Sequence, residues 1–449
     1  MAAIDILGDV GDVIEPGDEG YDAARATFYG GYDKRPEAIV RVTDDDGVAR
    51  VVTHARESGR ELAVRSGGHS VTGFCVSDGG IVLDLSRRKR IEIDAAAQTA
   101  WAEAGVTAAE FLEAAEPFGL GLSFGDTGSV GLGGLVTGGG VGFLVRKYGL
   151  TIDSLLAADV VTADGVIRRA DAQHEPDLFW AIRGGGGNFG VATRFQFRLR
   201  PVDTFTGGML MQPASASVIR EFMALLEAAP EELSGIVNVM PAPPMPFVPA
   251  EWHNKLVLMS LVGYVGAPAE AERVLAPFRA LATPIVDMVK PMPYAGIYPP
   301  EDPAYHPIAN GRTLFLDSVD ASSAYAIMSY LGSSTAYFSV CQLRVLGGAV
   351  SRVANDATAY AHRSRKIMGN VAALVERVED RPQHDGWVDA FARDIQRGPI
   401  GAYVNFVTDE TGAQVRAAYP GRTYDRLAAI KARYDPTNLF RLNQNIRPA

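Results

Sequence analysis

Hydrophobic and polar positions along this chain change period in a regular way. Leu62-Ala63-Val64 and Ile81-Val82-Leu83-Asp84-Leu85 are apolar runs of strand length, and Arg90 to Asp94 and Thr99 to Glu103 alternate as a strand pair. Ahead of them, Val48, Val51, Val52 and Ala55 recur at helical spacing behind Asp44-Asp45-Asp46, whose negative charge suits a helix N-terminus. Thr107 to Pro117 predicts a second helix, with Thr107 as N-cap and Glu110 three positions on. Leu155 to Thr162 and Val191 to Leu199 read as strands, Ala163-Asp164-Gly165 as a turn into Val166-Ile167-Arg168, and Asp177 to Arg183 as a helix. From about Thr206 the texture changes. Helical runs lengthen at Val218 to Leu226 and Ala269 to Leu281, strands are predicted at Leu256 to Val265 and Tyr337 to Val345, and prolines at 241–246 and 299–300 mark loops. A last helix is predicted through Tyr424 to Tyr434.

Glycine interrupts this pattern in three clusters. Arg65-Ser66-Gly67-Gly68-His69-Ser70 joins two predicted strands. Its paired glycines let main-chain N–H groups approach a phosphate, with a histidine set directly beside them. On its own the segment is either a cofactor loop or a tight turn with an incidental histidine. Gly125 to Gly142 is denser still, and no Lys-Ser/Thr pair follows it, which excludes a P-loop. Gly185-Gly186-Gly187-Asn188-Phe189-Gly190 has the dinucleotide spacing, yet it follows a helix and opens a strand, the reverse of a Rossmann turn. Some of these glycines serve tight helix–strand packing. Three clusters in one lobe nevertheless point to a shared cofactor.

Composition narrows the class. At 449 residues the chain predicts two or three lobes, and 47% hydrophobic with 21% charged residues is a globular balance. A net charge of -11 argues against nucleic-acid and anionic-membrane partners. Two distant cysteines, Cys75 and Cys341, give neither a disulfide framework nor metal-ligand spacing, so no metal is expected. Met1 to Asp5 lacks a leader pattern, and no apolar run is long enough to span a membrane, so a cytoplasmic location is expected. Nothing in the pattern points to an oligomeric state.

The glycine clusters also carry a resemblance. Arg65 to Ser70, Gly80 to Leu85, Gly131-Leu132-Gly133-Gly134, Gly138 to Gly142, Lys147-Tyr148-Gly149-Leu150, Asp177 to Gly184 and Gly187 to Gly190 resemble the FAD-binding module of the vanillyl-alcohol-oxidase superfamily. Tyr434 to Arg441 and Asn443-Gln444-Asn445-Ile446 are similar to the C-terminal signature of its berberine-bridge-enzyme-like branch. The resemblance implies an α+β class: a two-lobed FAD-binding domain over 1–205, a substrate-binding domain with an antiparallel sheet covered by helices over 206–396, and a segment 397–449 returning to the first domain. It further implies FAD bonded through the 8α carbon to His69. Many members add a cysteine attachment where this chain has Thr127, so a single covalent bond is expected. Cys75 is read as a buried small residue. Cofactor contacts are expected from Arg65, Ser66, Gly67, Gly68, His69, Ser70, Gly125, Thr127, Gly128, Val130, Gly131, Gly134, Gly138, Gly140, Gly142, Gly190, Val191, Asn405, Asn443 and Asn445.

By the same resemblance Tyr403, in a Tyr-x-Asn motif on a catalytic strand, is either an acid/base or substrate-orienting group or a core tyrosine. As a base it needs a lowered pKa. Gln342 and Arg344 share one face of the strand Tyr337 to Val345 by period-two spacing and are candidates to bind polar groups; Arg344 suits a carboxylate, sugar or phenolate, the alternative being a surface arginine. His306 and His362 have no evident partner and are not assigned. A small residue three places after the second-attachment position, here Val130, is expected to favour oxygen. The expected function is a hydride-accepting FAD oxidase that acts on a small alcohol, sugar, amine or natural-product intermediate and yields hydrogen peroxide. The alternatives are a flavin dehydrogenase with another electron acceptor and a flavin-binding protein without turnover.

Overall fold

The structure, a computed structural model, describes residues 10–408 and 412–449. Segment 1–9, which includes the stretch searched for a leader, lies outside the described residues. Three larger sheets organise the chain. In the first, Ala38–Val42, Ile81–Asp84 and Leu62–Arg65 run parallel, and Gly11–Ile14 adds an antiparallel edge. Parallel strands need a crossover, and the helix Asp45–Ser58 supplies it. Asp44 caps that helix by accepting from the Gly47 N–H at 2.7 Å, and Val48, Val51, Val52 and Ala55 form its buried face.

The second sheet is antiparallel in the order Ile91–Asp94, Thr99–Glu103, Val191–Arg198, Leu155–Val161, Ile167–Asp171. Helix Ala108–Ala115 opens with the expected reciprocal cap between Thr107 and Glu110. Its Phe111 meets Phe124 and Phe197 edge-on in the core that this sheet shares with the first.

The third sheet is the large one. Its strands run Val286–Asp287, Phe205–Pro213, Leu256–Val265, Leu233–Pro241, Phe338–Val345, Ile367–Val375 and Ile308–Leu316, with Lys290–Pro291 also paired to Phe205–Pro213. Helices Ala216–Ala228, Pro268–Arg279, Ala321–Gly332 and Arg381–Ile395 pack one face through Phe222, Phe278, Ile327 and Phe391. The opposite face meets the glycine-rich lobe, where Phe315 and Met368 join Val141, Leu150 and Ile152. The sequence pattern predicts only two of these strands. Leu233–Pro241 is buried along both faces and carries Ser234 and Asn238 inward, so no apolar alternation marks it.

Buried cations join the pieces. Arg146 spends its guanidinium on the carbonyls of Ala229 at 2.8 Å and Leu233 at 2.8 Å, just past the C-terminus of helix Ala216–Ala228, where positive charge is favoured. Burial pulls its pKa down. Arg363, also buried, pairs with Asp153 at 2.7 Å. At the chain's end, Lys431 on helix Arg422–Tyr434 donates to Asp435 at 2.8 Å, Asn188 O at 2.8 Å and Phe440 O at 2.7 Å, all buried. Asn188 receives Ile446 N at 2.9 Å and donates to Gln444 O at 3.2 Å. The tail is thereby held on the third glycine cluster. Lys431→Met leaves the Asp435 carboxylate buried without its cation and is expected to cost about 3–5 kcal/mol, read from urea unfolding. A loss below about 1 kcal/mol, the scale of one ordinary hydrogen bond, contradicts this account of the tail.

Candidate active site

The strand Leu62–Arg65 runs out into the Gly-Gly-His turn, and here two backbones nearly touch. A Cβ on Gly67 would lie 2.3 Å from Gly131 N, and one on Gly131 would lie 2.1 Å from Ser66 Oγ. Ser66 fastens the contact by donating to Ala104 O at 2.5 Å and accepting from Gly133 N at 3.3 Å. Gly68 turns the chain at φ +75°, and His69 follows with its ring stacked on Phe28 at 4.1 Å. His69 Nε2 lies 2.8 Å from Ser129 Oγ. Ser129 in turn donates its N–H to Glu301 at 3.0 Å and its hydroxyl to the other carboxylate oxygen. Burial lowers the His69 pKa to about 4, outweighing the opposing pull of the Glu301 and Asp126 carboxylates, so the imidazole is neutral near pH 7.

Two neighbours in that turn shape it rather than face a ligand. Arg65 is buried and directs its guanidinium to the carbonyls of Ala24, Arg25 and Cys75. Ser70 pairs with Thr72 Oγ1 at 3.2 Å and accepts from Phe74 N at 3.0 Å. Cys75 is buried, as expected.

The second glycine cluster is not a continuous loop, because Leu132–Gly138 forms a helix inside it. Its glycines fall into two groups. A Cβ on Gly138 would strike Asn405, on Gly140 Thr151, on Gly142 the Phe124 carbonyl and on Gly190 the Val161 carbonyl, so these four serve close packing. Gly128 lies against Ala109 and Tyr298, and Val191 pairs with Val161. Gly68 and Gly134 have nothing within 4 Å of a built Cβ, and Gly125 has only Leu135 at 3.6 Å. Val130 and Thr127 are half-buried beside them.

The three catalytic candidates converge on this cluster. Tyr403 is buried, and its hydroxyl accepts from Gly140 N at 2.8 Å and Asn405 Nδ2 at 3.1 Å. It precedes the short 3-10 turn Val404–Phe406 rather than lying on a strand. Burial raises its pKa despite both hydrogen bonds, which opposes service as a base and leaves its own proton free to donate. Arg344 is not at the surface. Only 3% of its side chain is exposed, and it donates to Val141 O at 2.6 Å and to Asp126 Oδ2 at 2.5 Å. Gln342 accepts from Arg344 at 2.7 Å and donates to Asn238 at 3.0 Å across the sheet. The cation considered for a substrate carboxylate already has one from its own chain.

Asp126 and Glu301 escaped the sequence reading. Asp126 sat unremarked inside a glycine run. Glu301 follows the proline pair 299–300, in a segment that straps the central region to the first lobe. Along it, Tyr298 donates to Gly125 O at 3.1 Å, and His306 meets Thr27 O at 2.8 Å. No local pattern marks such a strap. His362 stacks on Phe315 at 4.5 Å and bonds Ala418 O at 3.1 Å, a structural position.

The site fits a flat, phosphate-bearing cofactor. Gly68, Gly125 and Gly134 offer open backbone that a side chain would fill. Asn443 Oδ1, Asn445 Oδ1 and the Tyr360 hydroxyl are buried with no hydrogen-bond partner among the described residues, and they suit a ligand rich in polar edges.

Comparison with known proteins agrees. A family model for an FAD binding domain matches residues 36–171, and one described as berberine and berberine like matches residues 402–447. (R)-6-hydroxynicotine oxidase of Paenarthrobacter nicotinovorans is 33% identical over 455 residues, spanning 98% of this chain and 97% of the relative. The crystal structure of 6-hydroxy-D-nicotine oxidase from Arthrobacter nicotinovorans superposes with a TM-score of 0.84 at 30% identity, over 98% of both chains. A berberine-bridge-enzyme-like protein of Physcomitrella patens shares the fold, with a TM-score of 0.88 at 22% identity over 100% of this chain and 99% of that one.

Two histidines, His69 and His362, set a pH dependence. Both His69 and His362 fall from an ordinary 6.5 to about 4 in the folded protein, each chiefly through burial. Between those values the unfolded chain binds protons that the folded chain refuses. Stability is therefore complete above the unfolded value and is lost as pH falls toward the folded one. Melting temperatures recorded from about pH 7 down to about pH 4 are expected to fall, and to fall less steeply in His362→Gln. Equal slopes in the two proteins contradict the assignment to His362.

Proposed function

This chain belongs to the FAD-linked oxidoreductases of the vanillyl-alcohol-oxidase superfamily, in the berberine-bridge-enzyme-like branch, and on that premise we propose that it is an oxidase whose flavin is bonded through His69 alone. The observation that carries the proposal is the neutral His69 ring, pinned at Nε2 beside the open backbone of Gly68. Thr127 supports a single bond, since its side chain offers no thiolate.

FAD, when bound, accepts a hydride at N5 and passes the electrons to dioxygen, giving hydrogen peroxide. Residues 1–205 and 397–449 form the cofactor-holding part in this scheme, and 206–396 the substrate-holding part. Gly68, Gly125 and Gly134 give it room, while Asn443, Asn445 and Tyr360 offer polar atoms to its edges. Tyr403 donates its hydroxyl proton to a substrate heteroatom, because both incoming bonds occupy its acceptor side. Asp126, fixed by Arg344 and Gln342, presents a carboxylate to the same region. That pairing neutralises Arg344 and removes its appeal to an anion. Alcohols, sugars and amines remain, and the 6-hydroxynicotine named for the relative fits that range. Half-buried Val130 supports dioxygen over another acceptor.

Two measurements test this. Acid precipitation of the purified protein is expected to leave a yellow pellet, and His69→Ala a colourless one with free FAD above it. A colourless wild-type pellet removes the covalent bond from the scheme. Stopped-flow mixing of the reduced protein with aerated buffer is expected to give rapid reoxidation and stoichiometric hydrogen peroxide; slow reoxidation favours the dehydrogenase. For Tyr403→Phe, loss of one hydrogen-bond donor is expected to lower kcat about a hundredfold. An unchanged rate makes Tyr403 a packing residue only.

A further inference from the structure

We propose that Glu301 and Ser129 are a proton relay that readies His69 for attachment to the flavin and takes the ring proton as the bond forms. This deepens the reading that His69 carries the bond and rests on it.

The hydrogen-bond inventory fixes the direction. A carboxylate can only accept, so the single Ser129 hydroxyl proton points at Glu301. Ser129 Oγ must then accept from His69, at 2.8 Å, which keeps the imidazole proton on Nε2. Glu301 is held in place by its second oxygen, which takes the Ser129 N–H at 3.0 Å. Among the described residues Nδ1 makes no hydrogen bond, so its lone pair is available. Phe28, stacked beneath the ring at 4.1 Å and 22°, fixes its plane. The burial that holds this imidazole neutral near pH 7 keeps that lone pair unprotonated.

The step balances. The Nδ1 lone pair forms a C–N bond at the 8α carbon, and one C–H bond of that methyl group breaks. Nε2 passes its proton to Ser129 as Ser129 passes its own to Glu301, so the substituted ring ends neutral. Two electrons remain on the flavin. Dioxygen removes them, and with the methyl and imidazole protons they leave as hydrogen peroxide. Glu301 never touches the cofactor in this scheme; it is a positioning residue acting through Ser129.

The test follows attachment, not turnover. Wild type, Glu301→Ala, Ser129→Ala and Ser129→Thr are purified as full chains and incubated with FAD in air. Samples are read for flavin that survives acid precipitation and for the intact-mass increase of one FAD. Glu301→Ala and Ser129→Ala are expected to bind FAD reversibly but attach it about a hundredfold more slowly. Ser129→Thr, which keeps a hydroxyl, is expected to attach at close to the wild-type rate. Added formate is expected to restore the rate in Glu301→Ala, whose exposed position admits a small acid. Wild-type rates in both alanine variants overturn the relay and leave the His69 bond standing. So does failure of both formate and threonine to rescue. Variants that bind no FAD at all overturn it too, since the pair then serves cofactor binding. If the wild type never gains acid-stable flavin, the attachment itself fails, and that arm alone shows it.

Discussion

At Gly67 and Gly131 two backbones meet with no room for a methyl group between them, and the geometry around His69 depends on that contact. A side chain at either position must push the turn after Leu62–Arg65 away from the loop that opens helix Leu132–Gly138. The same contact brings Ser66 within reach of Ala104 and Gly133, and Ser129 within reach of His69. Glycine stands at these two positions because of steric exclusion. At Gly68 the turn needs its φ of +75°, and at Gly68 and Gly134 a built Cβ would meet open space. One residue type therefore does opposite things a few ångströms apart, first closing the scaffold and then leaving a surface on which a flat cofactor can lie.

A close backbone contact needs support from outside the lobe, and the central region provides it. The strap that runs through Tyr294, Tyr298, Glu301 and His306 bonds successively to Leu122, Gly125, Ser129 and Thr27. Arg344 reaches from the large sheet to Asp126 and Val141, while Arg146 reaches the other way to the end of helix Ala216–Ala228. These contacts run in both directions across one interface, and those made by Arg344 and Arg146 are charge-assisted. Each of these guanidinium groups holds two or more acceptors from the other side, so sliding the interface would break several charge-assisted bonds at once. That rigidity suits a site whose proposed chemistry depends on the plane of one imidazole ring.

How much of this is legible in the sequence follows from the range of each signal. The capping box at Thr107 and Glu110, the helix behind Asp44 and the strand pair around residue 96 are local patterns, and the structure has them. The helix inside the second glycine cluster was hidden because its residues are poor helix formers that tertiary packing holds in place. The large sheet was mostly invisible, since strands buried on both faces lose the alternation that announces them. The glycine clusters and the histidine beside them stand out by pattern, while the expectations for His69 as an attachment point and for Tyr403 come from resemblance. Neither pattern nor resemblance could supply Glu301, which reaches His69 only through a fold that joins positions more than 200 residues apart.

Arg344 shows how burial rewrites a residue's meaning. As a letter in a strand it suggests a group that captures anions. In the fold its guanidinium is 3% exposed and its hydrogen-bonding edge is divided among Asp126, Gln342 and the Val141 carbonyl. A substrate anion there would have to displace Asp126 and leave that carboxylate without its cation, a cost of several kcal/mol on the scale of broken buried pairs, about 3–5 kcal/mol. The arginine is thus better understood as the group that aims Asp126 than as one that meets a substrate. The residues it orients are a carboxylate, Asp126, and a neutral amide, Gln342, while the Tyr403 hydroxyl is held separately by Gly140 and Asn405. An arginine already paired within its own chain no longer argues for an anionic partner, which is the reverse of what its letter in the strand suggests.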